Sequence, residues 1–84
     1  MAKITLYTTD ACPYCVRAKM LLEKRELEFE EINLARDPDG RAELVEKTGM
    51  MTFPQILIDG QTLGGFDQLA AADRSGKLRE LLAV

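Results

Sequence analysis

The chain has 84 residues, of which 46% are hydrophobic and 30% charged, a length and composition typical of one small folded domain. Its 14 acidic and 11 basic side chains give a net charge of −3, which opposes the counterion-release attraction that nucleic-acid binders use. No apolar run approaches the roughly twenty residues that a membrane span needs. We therefore predict a single domain over residues 1–84 that binds neither nucleic acid nor a membrane.

The sequence contains no histidine, which excludes a Cys-His protease dyad, a histidine-ligated zinc and a histidine general base. The first residues run directly into a strand pattern and lack the apolar stretch of a signal peptide. We therefore expect a cytoplasmic protein whose two cysteines work without help from histidine.

The first part of the chain predicts a βαβ unit. Residues 3–8 alternate between polar and apolar side chains, which predicts a strand. Pro13 suits the first position of a helix, and apolar residues at helical spacing continue it to about Lys24. Residues 27–34 predict a second strand, and the helical connection makes it parallel to the first.

The second part predicts a helix and a hairpin. Asp37 is an N-cap residue before a proline, so a helix is expected over residues 38–48. Residues 55–58 and 61–63 predict two strands joined by an Asp-Gly turn, which makes them antiparallel.

The last part predicts a third helix. Asp67 is the expected N-cap, the helix runs through residue 73, and Gly76 ends it. An amphipathic last turn follows. The resulting order βαβαββα predicts an α/β, thioredoxin-like fold in which helices flank a four-stranded mixed sheet.

Cys12 and Cys15 form a C-x-x-C pair directly after the first strand, at the start of the first helix. In a βαβ unit this context indicates a dithiol redox site. Free backbone N–H groups and the positive end of the helix dipole favour the Cys12 thiolate. Comparable sites lower the thiol pKa from about 8.5 into the range of roughly 3.5 to 7.5.

Two other uses of the cysteine pair remain open from spacing alone. Buried cysteines are often inert core residues. The pair is also half of a zinc site, although a tetrahedral site would need a second chain to complete it. The position of the pair at a helix N-terminus favours redox chemistry over both.

Three motifs resemble the active-site motifs of the small dithiol glutaredoxins, which belong to the thioredoxin superfamily. They are Cys12-Pro13-Tyr14-Cys15, Thr52-Phe53-Pro54 and Gly64-Gly65-Phe66-Asp67. The resemblance spans the whole chain. It implies a glutathione-dependent thiol–disulfide oxidoreductase that reduces protein disulfides and glutathione mixed disulfides in cell redox homeostasis.

The resemblance also implies the site residues. Cys12 would be the catalytic nucleophile and Cys15 the resolving thiol of a redox-active disulfide. Pro54 would follow a cis peptide bond, so that the Phe53 backbone pairs with glutathione as a short added strand. Asp67 would face the ammonium group of the γ-glutamyl end. The implied glutathione-binding residues are Tyr14, Thr52, Phe53, Pro54, Gly65, Phe66 and Asp67.

By the same resemblance, glutathione is a co-substrate and no cofactor is tightly bound; we expect no metal site. The implied partners are glutathione and disulfide-bonded or glutathionylated proteins, with ribonucleotide reductase as one candidate. We expect the protein to be a monomer.

The chain departs from the resembled pattern at positions where many relatives carry a basic side chain, and at Gln68, where the common pattern has a second acid. Such departures weaken charge-assisted contacts to glutathione, for which Lys47 could compensate, and a methionine pair there favours an apolar protein substrate. The departing residues are Thr9, Asp10, Met50, Met51 and Gln68.

These departures favour one alternative function and leave a second open. The first is a glutaredoxin-like electron donor that is itself reduced by thioredoxin reductase. The second is a carrier in which Cys12 from each of two chains and two glutathiones hold a [2Fe-2S] cluster. Pro13 argues against the carrier, because cluster-binding relatives usually have a small residue at this position.

Overall fold

The computed structural model describes residues 3–82, which form four strands and four helices. The strands are β1 (Ile4–Thr8), β2 (Phe29–Asn33), β3 (Gln55–Ile58) and β4 (Gln61–Gly64), and the helices are α1 (Pro13–Lys24), α2 (Pro38–Thr48), α3 (Phe66–Ser75) and α4 (Lys77–Leu82). The predicted α/β, thioredoxin-like order is confirmed, and the expected amphipathic last turn is the separate helix α4. The single domain over residues 1–84 stays a prediction, because residues 1–2 and 83–84 lie outside the described ones.

The four strands form one mixed sheet in the order β2-β1-β3-β4. β1 runs parallel to β2, as the helical connection predicts, whereas β3 is antiparallel to both β1 and β4. In the central pair, Tyr7 near the end of β1 lies opposite Gln55 at the start of β3. The loop after β1 and the loop before β3 therefore lie next to each other at the same end of the two central strands.

The core lies between this sheet and the helices α1, α3 and α4. Ile4 and Leu6 of β1 pack against Leu22 of α1 and Leu69 of α3, and all four side chains are buried. Burying one such side chain contributes about 1.5–3 kcal/mol, so the apolar pattern of each element fixes which face it presents. Within residues 3–82, no helix is long and apolar enough to cross a membrane.

Both strands of the βαβ unit are shorter than predicted. β1 begins at Ile4 rather than at residue 3, and β2 spans Phe29–Asn33 rather than residues 27–34. The register explains this, because the five residues of β1 pair one to one with those of β2. Leu27 instead lies between the turn that follows α1 and the start of β2, and it packs against the core.

The prediction that Asp67 is the N-cap of α3 is wrong. The N-cap is Gly65, and Asp67 lies in the first turn of the helix. A side chain within the helix contacts this N-cap residue: Oε1 of Gln68 accepts a hydrogen bond from the Gly65 N–H at 2.9 Å. This is the reciprocal half of a capping box, and it leaves the exposed Asp67 carboxylate available for other contacts.

An ion pair ties α3 to the end of α1. The guanidinium of Arg25 donates two hydrogen bonds to the Asp73 carboxylate, at 2.9 and 3.0 Å. The hydrogen bond and the charge of Asp73 raise the pKa of Arg25 above its ordinary value. The pair links the two helices whose N-terminal ends carry the Cys12-Cys15 pair and Asp67.

We predict that Gly64→Ala destabilises the protein by about 2–3 kcal/mol, by backbone strain and steric clash together. The φ angle of Gly64 is +135°, and a Cβ there would lie 2.7 Å from Cγ of Gln68, the residue that caps α3. Urea unfolding measures the free-energy change.

Gly76→Ala is the matched control for this prediction. Gly76 also has a positive φ, +83°, but a Cβ there would meet nothing within 4 Å. We expect a loss of only about 1 kcal/mol, from the left-handed backbone alone. Equal losses in the two variants would contradict the clash with Gln68.

Candidate active site

The cysteine pair sits at the N-terminus of α1, as predicted. Cys12 is the N-cap, and its Sγ accepts a hydrogen bond from the Cys15 N–H at 3.2 Å. The two side chains are joined by a disulfide, with their Cα atoms 5.2 Å apart. Cys15 is only 3% exposed, whereas Cys12 is half-buried. Cys12 is therefore the sulfur that an incoming thiol or disulfide can reach.

The loop before β3 lies beside this sulfur. Its Phe53–Pro54 peptide bond is cis, as the resemblance implied. The carbonyl oxygen of Phe53 lies 3.8 Å from Sγ of Cys12. A peptide-like molecule disulfide-linked to Cys12 would thus have the Phe53 backbone next to it.

A groove of about 440 Å³ extends from this loop to the start of α3. All seven of the predicted glutathione-binding residues line it, together with Met50 and Gln68. The residues that line it are Tyr14, Met50, Thr52, Phe53, Pro54, Gly65, Phe66, Asp67 and Gln68. The structure thus brings the three sequence motifs together around one groove, while the binding role of each residue stays a prediction.

Tyr14 connects the two sides of the site. Its ring lies 5.9 Å from the ring of Phe66, centroid to centroid, and the guanidinium carbon of Arg17 lies 5.2 Å from the Tyr14 centroid. Aromatic and cation–π contacts of this kind each stabilise by about 0.5–1.5 kcal/mol. The contact between the two rings joins α1 to the start of α3 across the groove, whereas Arg17 and Tyr14 both lie on α1.

Lys47 does not line this groove. Its Nζ instead points toward Gly60, 4.0 Å from where a Cβ at that residue would lie, in the turn at the far end of β3. The expected compensation by Lys47 for missing basic contacts therefore lacks support. Met51 is 80% exposed, and Met50 is half-buried in the groove wall.

Gln55 positions the loop, and sequence reasoning did not single it out. Its side chain is fully buried, and its Nε2 donates to the carbonyl oxygens of Met50 and Thr52, both at 3.0 Å. Its Oε1 accepts from the Thr48 hydroxyl at 2.8 Å. The available signal was a lone polar residue at the start of an otherwise apolar strand, directly after Pro54.

A second cavity, of about 570 Å³, opens on the other side of the disulfide. In its wall, the Thr8 hydroxyl donates to the Glu31 carboxylate at 2.8 Å, and Nζ of Lys19 lies 3.3 Å from the same carboxylate. Lys19 is therefore neutralised by an acid on β2. Both cysteines also border this cavity.

Comparisons with known proteins agree with this geometry. The family model described as "Glutaredoxin" matches residues 4–63. The chain is 47% identical to the "Glutaredoxin" of Pseudomonas aeruginosa, over all 84 residues and 100% of both chains. It is 43% identical to "Glutaredoxin 3" of Escherichia coli K12 over 82 residues, which covers 98% of this chain and 99% of that one.

Solved structures give the same result. A glutaredoxin from Brucella melitensis aligns with a TM-score of 0.85 at 46% identity, covering 98% of this chain and 89% of its own. The buckwheat glutaredoxin–glutathione complex aligns with a TM-score of 0.87 at 30% identity, covering 98% of this chain and 77% of its own. With a reachable Cys12, a buried Cys15 and these relatives over nearly its whole length, the chain belongs to the glutaredoxin family and is a thiol–disulfide oxidoreductase.

Proposed function

We propose that glutathione is the co-substrate and that it binds along the groove between the Phe53–Pro54 loop and α3. The observation that carries the proposal is the position of the groove, since Phe53 forms part of it and the Phe53 carbonyl oxygen lies 3.8 Å from Sγ of Cys12. The buckwheat relative was solved as a complex with glutathione. An extended tripeptide joined to Cys12 can pair with the Phe53 backbone as an added strand.

The start of α3 suits the γ-glutamyl end of glutathione. Its first backbone N–H groups are not used within the helix and can donate to a carboxylate. The Asp67 carboxylate in the same turn is exposed and can face the neighbouring ammonium group. Gly65 keeps this approach open because it has no side chain.

The proposed reaction is two successive thiol–disulfide exchanges. The Cys12 thiolate attacks the glutathione sulfur of a mixed disulfide, a Cys12–glutathione disulfide forms, and the target leaves as its thiolate. A second glutathione thiolate then attacks the glutathione sulfur, which releases glutathione disulfide and the Cys12 thiolate. The Cys15 N–H at Cys12 Sγ stabilises that thiolate, and a more stable thiolate is a better leaving group.

A disulfide between two protein cysteines requires the second thiol. Cys12 attacks one sulfur of the target and forms a protein–protein mixed disulfide, and the target's other sulfur leaves. The Cys15 thiolate then attacks Sγ of Cys12, which forms the Cys12–Cys15 disulfide and releases the reduced target. Two glutathiones reduce the disulfide again and become glutathione disulfide.

The wider role follows from this chemistry. The proposed partners are disulfide-bonded or glutathionylated proteins, with ribonucleotide reductase as a candidate. The proposed setting is cell redox homeostasis in the cytoplasm, and the proposed form is a monomer with one domain. The bacterial relatives named glutaredoxins support the thiol–disulfide exchange on which this role rests.

We predict that Asp67→Asn raises the KM for a glutathione mixed disulfide about fivefold and changes kcat little. An exposed charge contact of this kind contributes about 1 kcal/mol. The measurement is steady-state turnover coupled to glutathione and glutathione reductase.

Asp39→Asn is the matched control, because Asp39 is also an acid in the first turn of a helix but does not line the groove. We expect it to leave KM unchanged. Equal KM values for wild type and Asp67→Asn would contradict the ammonium contact. Turnover with thioredoxin reductase but not with glutathione would contradict glutathione as the electron source.

A further inference from the structure

The groove offers a single charged side chain to its ligand. Nine of the residues that the structure describes line it, and among these nine only Asp67 is charged, with a negative charge. The side chains opposite the helix N-terminus come from the loop before β3, where Met50 and Thr52 line the wall. Within residues 3–82, no lysine or arginine lines the groove.

Three basic residues on the neighbouring helices do not line the groove. Lys19 borders the other cavity and is paired with Glu31. Arg17 lies over the ring of Tyr14 and is not part of the groove wall. Lys47 points toward the turn at Gly60.

The charges of glutathione can be matched to this groove one by one. The tripeptide carries one ammonium and two carboxylates. The ammonium can contact the Asp67 carboxylate. The adjacent γ-glutamyl carboxylate can accept hydrogen bonds from the N–H groups at the start of α3. The glycine carboxylate has no cationic partner among the residues that line the groove. Moving an unpaired charge from water to an uncharged wall does not contribute favourable binding free energy.

We propose that this enzyme does not select for the charge of the glycine carboxylate, so that its substrates are γ-glutamylcysteinyl peptides with either a charged or a neutral C-terminus. This inference rests on the proposed function, because it assumes that glutathione lies in the groove. Recognition then depends on the γ-glutamyl end and the cysteine. Mixed disulfides of C-terminally amidated or esterified glutathione belong to the same substrate class.

The test compares two chromogenic disulfides that differ only at the glycine end. One joins 5-thio-2-nitrobenzoate to glutathione, and the other joins it to glutathione with an amidated glycine. Reduced Cys15→Ser protein limits the reaction to one transfer, in which Cys12 bonds to the glutathione sulfur and the better leaving group, 5-thio-2-nitrobenzoate, departs. Its absorbance gives the second-order rate constant.

We expect the two rate constants to agree within about threefold. A single well-formed charge-assisted contact to the carboxylate would produce a difference of about tenfold or more. A preference above fivefold for the free carboxylate would overturn the inference. No reaction with either disulfide would instead overturn the proposed function.

Met50→Arg supplies the missing cation, and Met50→Gln is the neutral control of similar length. We expect Met50→Arg to prefer the free carboxylate by about tenfold relative to Met50→Gln, the effect of one charge-assisted contact. An unchanged ratio between the two disulfides would overturn the explanation by an uncharged groove wall, because the glycine end would then lie away from Met50. Wild type tests the inference on its own if the arginine variant fails to fold.

Discussion

We expect the Cys12→Ser variant to reduce protein disulfides and glutathione mixed disulfides at least about a thousandfold more slowly than wild type. Losses of this size follow the removal of a covalent nucleophile in other enzymes. Serine keeps the N-cap position of α1, but its hydroxyl is not ionised at neutral pH and attacks disulfides far more slowly than a thiolate. Cys12 is the half-buried sulfur, next to the Phe53 carbonyl. The measurements are reduction of a protein disulfide and of a glutathione mixed disulfide.

Cys15→Ser separates the two reactions. Cys15 is 3% exposed, so its sulfur acts only on a disulfide already formed at Cys12. We expect reduction of protein disulfides to fall at least about a hundredfold, because no resolving thiol remains. Reduction of glutathione mixed disulfides should continue, because a second glutathione performs that step.

Two results would contradict this division of roles. Substantial turnover by Cys12→Ser would mean that Cys15 is the attacking thiol. Equal losses of both activities in Cys15→Ser would mean that the second cysteine is needed for the first transfer. Circular dichroism and urea unfolding of both variants would show whether a loss reflects unfolding.

The Gln55→Leu variant is expected to lose about 3–5 kcal/mol of stability. The fully buried amide of Gln55 donates to two loop carbonyls and accepts from the Thr48 hydroxyl. Leucine has a similar volume but leaves those carbonyls without their donor, at a cost of about 1–3 kcal/mol each. Urea unfolding measures the change.

The same variant should also weaken substrate binding, because the two carbonyls belong to the loop that carries Phe53. We expect KM for a glutathione mixed disulfide to rise several-fold at a temperature where the variant remains folded. Gln61→Leu is the matched control, since Gln61 is an exposed residue of the neighbouring strand β4. Its stability should change by less than about 0.5 kcal/mol.

A Gln55→Leu protein as stable as Gln61→Leu would show that the loop does not depend on the buried amide. A loss of stability with an unchanged KM would show that Gln55 supports the fold but does not position the loop. The two measurements therefore test the structural and the positioning role separately.

Several features of this protein could be predicted from local sequence because short-range physics determines them. Proline at the first helical position and helical apolar spacing predicted α1, whose bounds are confirmed at Pro13–Lys24. The Asp-Gly turn predicted the antiparallel hairpin of β3 and β4. The C-x-x-C spacing after a strand predicted a dithiol at a helix N-terminus, and three short motifs indicated the family.

Other features depend on long-range packing and could not be derived in this way. The N-cap of α3 is Gly65 because Gln68 turns back to its N–H, whereas the sequence favoured Asp67. Gln55 looked like an ordinary strand residue, since its hydrogen bonds go to a loop whose path is set by the antiparallel pairing of β1 and β3. That pairing depends on how the whole core is buried.

The sequence by itself determined the order of the elements, the cysteine pair at a helix start and the family, because capping, turn and periodicity preferences act over a few residues. Only the tertiary structure decided that the loop before β3 lies beside Cys12 and that each of the three motifs contributes at least one residue to one groove. It also decided that none of the basic side chains in the described part of the chain lines this groove. Charges distant in sequence are brought near a site, or kept from it, only when sheet pairing and core packing fix the elements that carry them.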